Sequence, residues 1–581
     1  MLKLSHLHSF KETFGLLNKS EQKKSVFILF VFFFNALIEV FTLASILPFL
    51  LLLLNFFGNQ DELFSSYISL NENRLIFVFV LTLVFLFLFK NWLGILIDTY
   101  KIRYSTSIAQ RLAKQQFQKY FRQDYLQFNE NPGSVLIKNI QLLPSEFCNH
   151  LLLSQLDSLA ELCILTFLLI GILIFQPVLF MLFLIIFLPP LYFLYQLKKK
   201  RLTRIGNQIK NFHNQSTQEL LSAMRNHSDI KIYDKETFFL SRFMSNYDSL
   251  LEKEENLKIS NTMPSRIVEI IAIFGIFVIT SFALWYQKDK QEIIFLISVF
   301  FTLSYRLLPS LNRILVNMIK IKSFQYALDI LKNEEKSEPG IYPENHKKLT
   351  FNKAITIKNL QFNYPKRNGA GIFIPELTIQ KGEMMGIAGK SGVGKTTFYH
   401  LLSQLIRQDQ GEIYVDNTRI SRENRGKWHR LLAYVSQNPV LLDTNILENS
   451  AYGQKEEEVN FSKLIEVVRQ VNLSEFVDSL PDGLYQAIGE NGTELSGGQI
   501  QRIAIARALY MNAEILLLDE ITSNLDSDNE HEIITTLYSL IPEKTILLIA
   551  HRQSSLKYCN RIVEIDNGKV YLASDYQKVK P

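Results

Sequence analysis

The chain has 581 residues, too many for one ordinary domain, and 44 of them are phenylalanine. Lysine and arginine number 62 against 56 aspartates and glutamates, a net charge of +6. The basic residues flank apolar runs instead of gathering in one patch, which argues against a nucleic-acid partner. Cys148, Cys163 and Cys559 lie far apart with no CxxC or Cys/His spacing, so no disulfide framework or zinc site is expected and the thiols should be buried.

A helix needs about 20 apolar residues to cross the hydrocarbon core. Six runs meet this, at about 25–55, 75–98, 151–175, 178–197, 266–286 and 291–321. The first is too long for a signal-peptide core and no small-residue cleavage site closes it, so it should be retained. Lys3, Lys11, Lys19, Lys23 and Lys24 precede that first run, which predicts a cytoplasmic N-terminus. Outer connections are then short, at Gln176–Pro177 and Gln287–Glu292. Two long inner segments, Lys101 to His150 and Lys198 to Met263, carry helical periodicity and many charges, as helices continuing beyond the bilayer would. The stretch "ELFSSYISL", residues 62–70, reads either as a short external amphipathic helix or as a surface loop.

Charged residues inside spans are costly, roughly 2.5 to 3.5 kcal/mol each at the centre. Glu39, Lys90, Asp157, Glu161, Arg306 and Arg313 all lie in the runs, and Arg266 lies at the edge of the fifth. Arg306 and Arg313 are nearly two helical turns apart and share a face, with Pro309 between them. Two readings stand. In one, Glu39 neutralises Lys90, Asp157 or Glu161 neutralises Arg306, and Arg266 and Arg313 snorkel to the interface. In the other, the cations line a path for an anionic substrate, with guanidinium groups suited to phosphate.

From about residue 350 the polarity becomes that of a soluble domain. "MMGIAGKSGVGKTTFYHLL" passes from a strand through a glycine-rich turn into a helix, and Gly389, Gly394, Lys395 and Thr396 fit the phosphate-loop pattern. Backbone amides there, with Ser391, Gly392 and Thr397 in the same loop, converge on phosphate oxygens at a helix N-terminus. Lys395 adds charge for the β- and γ-phosphates, and the Thr396 hydroxyl suits Mg2+. "EILLLDE" ends an apolar strand in Asp519 and Glu520, which fit a metal carboxylate and a general base for water.

Leu495 to Gln499 read LSGGQ, between the phosphate loop and the Asp-Glu strand. With these motifs in this order, residues 350–575 resemble the ATP-binding cassette family. The resemblance implies that Ser496 and Gly498 cap the γ-phosphate of an ATP held by an opposite subunit, with Gly497 and Gln499 in the same nucleotide-binding motif. By the same resemblance, Tyr364 in "FNYP" stacks on adenine and Gln437 in "YVSQNP" reaches Mg2+ and water. Asp526 in "SNLD" crosses the dimer interface, and His551 in "LLIAHR" contacts the γ-phosphate. It further implies a homodimeric half-transporter that hydrolyses ATP. The fold expected is a six-helix all-α transmembrane domain over residues 1–322, a linker over 323–349, and an α/β P-loop cassette over 350–581. Coupling helices are expected near "FNENPGSVLIKNI", residues 128–140, and near Thr237 to Asn246.

The membrane half resembles the PglK and Wzk-type lipid-linked oligosaccharide flippases through "IEVFTLASILPF", "FLFKNWLG" and, most clearly, "YRLLPSLNRI". This implies a polyprenyl-pyrophosphate oligosaccharide as cargo in a bacterial inner membrane, with Lys90, Arg266, Arg306 and Arg313 near its pyrophosphate. Lys90 stands where arginine is expected, and "MPSRIVE" sets Arg266 one residue late for a Pro-Arg pattern. An exporter of lipid A, drugs or peptides is the alternative reading, and an ATP-gated channel or membrane sensor is a further one.

Overall fold

The computed structural model describes residues 10–45, 72–175, 177–285, 290–335, 349–365, 371–522, 527–566 and 568–572. The chain separates into two compact units. Residues 1–123 and 128–340 form the first, and residues 124–127 with 341–581 form the second.

The first unit is helical. Its long helices are α1 (Lys19–Ala44), α2 (Glu72–Phe121), α4 (Leu153–Phe175), α5 (Pro177–Arg225), α7 (Glu236–Trp285) and α8 (Lys290–Ser323). Short helices α3 (Tyr125–Asn129) and α6 (His227–Ile232) interrupt the series, and α9 (Gln325–Glu335) follows it. Among the described residues, four stretches are long and apolar enough to cross a membrane: Lys19–Ala44, Phe77–Phe121, Gly133–Ile174 and Glu236–Phe282. Rows of exposed phenylalanine, leucine and isoleucine on α1, α2 and α7 suit a lipid-facing surface. Asn18 opens α1 with a capping box shared with Glu21, and Glu21 also receives Arg111 of α2 at 2.6 Å.

Two local features depart from plain α-helix. The chain from Gly133 to Phe175 stays helical but passes through π-turns at Lys138–Leu142 and Phe147–Leu152, on either side of Pro144. A proline cannot donate the interior hydrogen bond, and a widened turn accommodates the mismatch. Elsewhere, α5 passes the end of α8 so closely that a Cβ on Gly206 would lie 1.8 Å from the Ser323 carbonyl oxygen.

The residues that group with the second unit are 124–127, ahead of the stretch 128–140. Leu126 packs against the apolar core of the second unit, and Asp124 pairs with Arg425 at 3.4 Å. Thr237 to Asn246 form the opening turns of α7, and the separate short helix is α6 just before it. Segment 62–70 and Asp526 lie outside the described residues.

The second unit holds one ten-stranded sheet in the order β5-β4-β1-β2-β10-β9-β3-β8-β7-β6. Its strands are β1 (Ala354–Asn363), β2 (Gly371–Gln380), β3 (Met384–Ala388), β4 (Gln410–Val415), β5 (Thr418–Arg419), β6 (Leu432–Val435), β7 (Ile515–Asp519), β8 (Thr545–Ile549), β9 (Arg561–Asp566) and β10 (Lys569–Leu572). β1, β2, β4 and β5 pair antiparallel, whereas β9, β3, β8, β7 and β6 run parallel. The parallel strands are covered on both faces, which is why β3, β7 and β8 are buried throughout and apolar apart from Thr545 at the start of β8 and Asp519 at the end of β7. Helices α10 (Lys395–Leu402), α11 (Gly497–Tyr510) and α12 (Ser527–Ser539) supply much of that cover.

Candidate functional site: a nucleotide site and a charged membrane cavity

Four adjacent parallel strands end at one place. Beyond β3 comes the loop Gly389–Gly394, beyond β8 His551, beyond β7 Glu520, and beyond β6 Gln437. The carboxyl edge of parallel strands is where such sheets bind ligands. Gly389, Gly392 and Gly394 have φ of +145°, +81° and +111°, values that side-chain-bearing residues rarely adopt. That backbone turns the loop into the first turn of α10, where free amides meet the positive end of the helix dipole. Ser391 and Gly392 lie exposed on the same loop.

Lys395 is 5% exposed and donates to the carbonyls of Gly389 and Lys390 at 2.9 and 3.0 Å. Its Nζ lies 3.1 Å from His551 Nε2 and 3.8 Å from Glu520 Oε1. Burial pulls its pKa down, and the Glu520 and Asp519 charges oppose this in part. Glu520 also receives Gln437 Nε2 at 2.8 Å and lies 2.6 Å from His551 Nε2. Its φ of +51° is left-handed, costly for a glutamate, and its N–H is held by the Ile549 carbonyl at 3.0 Å. The sequence therefore brings Lys395, Gln437, Glu520 and His551 into one cluster.

Asp519 sits beside it, 4% exposed. Thr396 donates to its Oδ2 at 3.0 Å, and the Tyr434 hydroxyl donates to the same oxygen at 3.1 Å. Burial raises the Asp519 pKa, while the two donors lower it. Tyr364 reaches the loop helix, its hydroxyl 3.0 Å from Thr397 Oγ1. Ser496 caps α11 by a reciprocal box with Gln499, at 2.8 and 3.3 Å. Ser496 and Gly497 are exposed, and Gly498 and Gln499 are half-buried.

Sequence reading did not single out Tyr434 or Glu530. Tyr434 lies three residues before Gln437, where strand periodicity alone does not give its function. Glu530 is 5% exposed and holds Arg552 Nη1 at 2.7 Å, Ser554 at 2.8 Å and Ser555, the residues that follow His551.

The first unit contains a second candidate site, a cavity of about 760 Å3. It is lined by residues including Glu39, Lys90, Glu161, Arg306 and Arg313. Arg306 meets Glu39 through Nε at 2.7 Å and donates from Nη2 at 2.8 Å. Lys90 meets the same glutamate at 2.9 Å. Glu161 accepts from Arg313 and Ser310 at 2.8 and 2.7 Å and lies 3.5 Å from Arg306. Thus the expected Lys90–Glu39 pair forms, but Arg306 takes Glu39 ahead of Glu161, and Asp157 serves Lys101 at 2.6 Å instead. Arg313, its side chain 61% exposed, lines the cavity and pairs with Glu161. Arg266 is 81% exposed, faces Glu269 of its own helix at 3.4 Å and is not among the described lining residues, so it does not join the other three.

The ABC transporter family profile matches residues 374–523. The chain is 27% identical over 403 residues to the ATP-dependent lipid A-core flippase of Ralstonia nicotianae, covering 68% of this chain and 67% of that protein. It is 30% identical over 413 residues to the protein of the same description from Francisella novicida, covering 68% of each. Matches to the first of these relatives span about two thirds of their length. A solved bacterial Atm1-family ABC exporter with ATP bound superposes with a TM-score of 0.77 over 96% of this chain and 94% of that one, at 19% identity. That likeness speaks for the fold. The phosphate loop, the Asp519–Glu520 strand and the helical membrane unit agree with both kinds of relative: this chain belongs to the ABC transporter family, as a half-transporter with an ATP-hydrolysing cassette.

Proposed function

We propose that the protein is an ATP-driven flippase for an anionic, phosphate-bearing lipid of the bacterial inner membrane, working as a homodimer with its N-terminus and cassette in the cytoplasm. The observation that carries the reading is the charged cavity among apolar helices, where Lys90, Arg306 and Arg313 pair with Glu39 and Glu161. With Lys101, Lys320, Asp98 and Asp157 also in the lining, five cations face four carboxylates, and the one excess positive charge suits phosphate and disfavours lipophilic cations. The lipid A-core function of the relatives supports a lipid A-type cargo ahead of a polyprenyl-pyrophosphate oligosaccharide. The second reading rests on Arg306 and Arg313 of "YRLLPSLNRI" lining that cavity.

In the cassette, the amides of 389–396 and Lys395 hold the phosphates, and Tyr364 carries the adenine. Hard oxygen donors at Thr396 and Asp519 fit Mg2+, which would neutralise phosphate charge when bound. Gln437 orients water toward Glu520, which takes its proton, and His551 faces the γ-phosphate. Ser496 of the partner subunit closes the site, with Asp526 at the interface. Closure of two cassettes then moves the membrane helices, and hydrolysis resets them.

The test is flipping in proteoliposomes with either lipid A-core or undecaprenyl-pyrophosphate oligosaccharide. Wild-type protein is expected to move the lipid A-type cargo, Glu520→Gln neither lipid, and Arg313→Leu less lipid at near-normal basal ATPase. Movement of the oligosaccharide lipid alone would favour the second reading. ATP-dependent ion currents without lipid movement would overturn both.

A further inference from the structure

Asp519 Oδ2 accepts two hydrogen bonds from different parts of the cassette, and only one donor belongs to the phosphate loop. The other, the Tyr434 hydroxyl, plays no part in moving a proton or contacting phosphate in the mechanism above. A phenylalanine would fill its place in the ring packing equally well. What the hydroxyl adds is a fixed rotation of the Asp519 carboxylate.

The ring of Tyr434 is itself located by neighbours. Thr396 and His400 lie four residues apart on α10 and so share a face. Thr396 takes Asp519, while the His400 imidazole meets the Tyr434 ring at 6.1 Å and 72°. Tyr399, fully buried, meets that ring from another side at 6.3 Å and 87°, and its hydroxyl donates to the Leu518 carbonyl at 3.3 Å. His400 also packs against Tyr125, with centroids 4.7 Å apart. Tyr125 belongs to 124–127, the short stretch that groups with the cassette although membrane helices flank it in sequence. Its neighbours there are anchored too, Leu126 against the apolar core and Asp124 on Arg425.

We propose that Tyr434 is a positioning residue for the metal carboxylate: its hydroxyl sets Asp519 for Mg2+, and the Tyr125–His400 ring pair sets Tyr434. The way residues 124–127 are seated is thereby read out as metal affinity at the ATP site. The inference concerns the cassette and stands whichever lipid is carried.

The experiment uses the full-length protein carrying Glu520→Gln, so that ATP is not turned over, with Mn2+ as a paramagnetic probe titrated in the presence of ATP. Tyr434→Phe removes the donor and keeps the ring. It is expected to raise the Mn2+ half-saturation concentration about tenfold, the size of one hydrogen bond to a charged group, while ATP binding in EDTA stays unchanged. Tyr125→Ala should raise the same concentration, and adding it to Tyr434→Phe should produce no further change, because both act through one hydroxyl. A Mn2+ affinity within twofold of the parent in Tyr434→Phe would overturn the proposal. So would an equal loss of ATP binding in EDTA, which marks general damage to the cassette. If the Tyr125→Ala shift adds in full to that of Tyr434→Phe, the ring link is refuted.

Discussion

Replacing Glu39 by glutamine isolates the charge of the membrane network, since the amide keeps the volume and one acceptor oxygen. Glu39 is 5% exposed and serves two cations, Lys90 at 2.9 Å and Arg306 at 2.7 Å. After the change Arg306 still has Glu161 at 3.5 Å, whereas Lys90 retains no carboxylate among the described residues. Stranding one partner of a buried ion pair costs about 3 to 5 kcal/mol, and the remaining Glu161 contact points to the lower end. At about 2 °C per kcal/mol for a unit of this size, the thermal midpoint should fall by roughly 6 to 8 °C. The assay is thermal unfolding in nanodiscs, comparing Glu39→Gln with Glu39→Gln/Lys90→Gln. The second substitution removes the stranded cation and should recover part of the loss. A midpoint within 2 °C of wild type for Glu39→Gln, or a further fall in the double variant, would refute the reasoning.

Glu520→Gln should lower ATP turnover by about a hundredfold or more, the scale of a lost general base, with ATP binding retained by equilibrium titration. Glu530→Gln should destabilise the cassette by about 2 kcal/mol through weakened bonds to Arg552, Ser554 and Ser555. Burial pushes the Glu530 carboxyl up, but those three donors together hold it below its ordinary 4.5. A depressed carboxyl contributes stability above its unfolded pKa and loses it as pH falls through the folded one. The gap between wild type and Glu530→Gln in denaturant midpoints should therefore be full at pH 7 and close progressively below about pH 4.5. A gap that is constant with pH would show that the carboxylate charge is not what holds the segment after His551.

Much of the cassette was readable from sequence because its chemistry demands particular residues at fixed spacing. Gly389, Gly394, Lys395 and Thr396 must follow a strand directly, and Asp519 and Glu520 must end one, so pattern and structure coincide. Tyr434 and Glu530 were not readable, since a hydroxyl or carboxylate gains its role only from a partner brought close by the sheet. The membrane charges were half readable. Their cost in lipid announced pairing, but which acid meets which cation depends on helix rotation, and Arg306 reached Glu39 across 267 positions of sequence. Residues 124–127 were not singled out in the sequence, because Asn-Pro-Gly signals a turn without saying which of its neighbours pack with the cassette.

Gly206 has a mechanical meaning. Contacts between helices are usually made by side chains, which take up small displacements by changing rotamer. Here the α5 backbone bears directly on the last carbonyl of α8, with no room for even a methyl group. A contact without side chains has no slack, so a rotation of α8 that carries Ser323 inward must displace α5 at once. The two helices are geared at that point, and one hydrogen atom in place of a side chain sets the tooth.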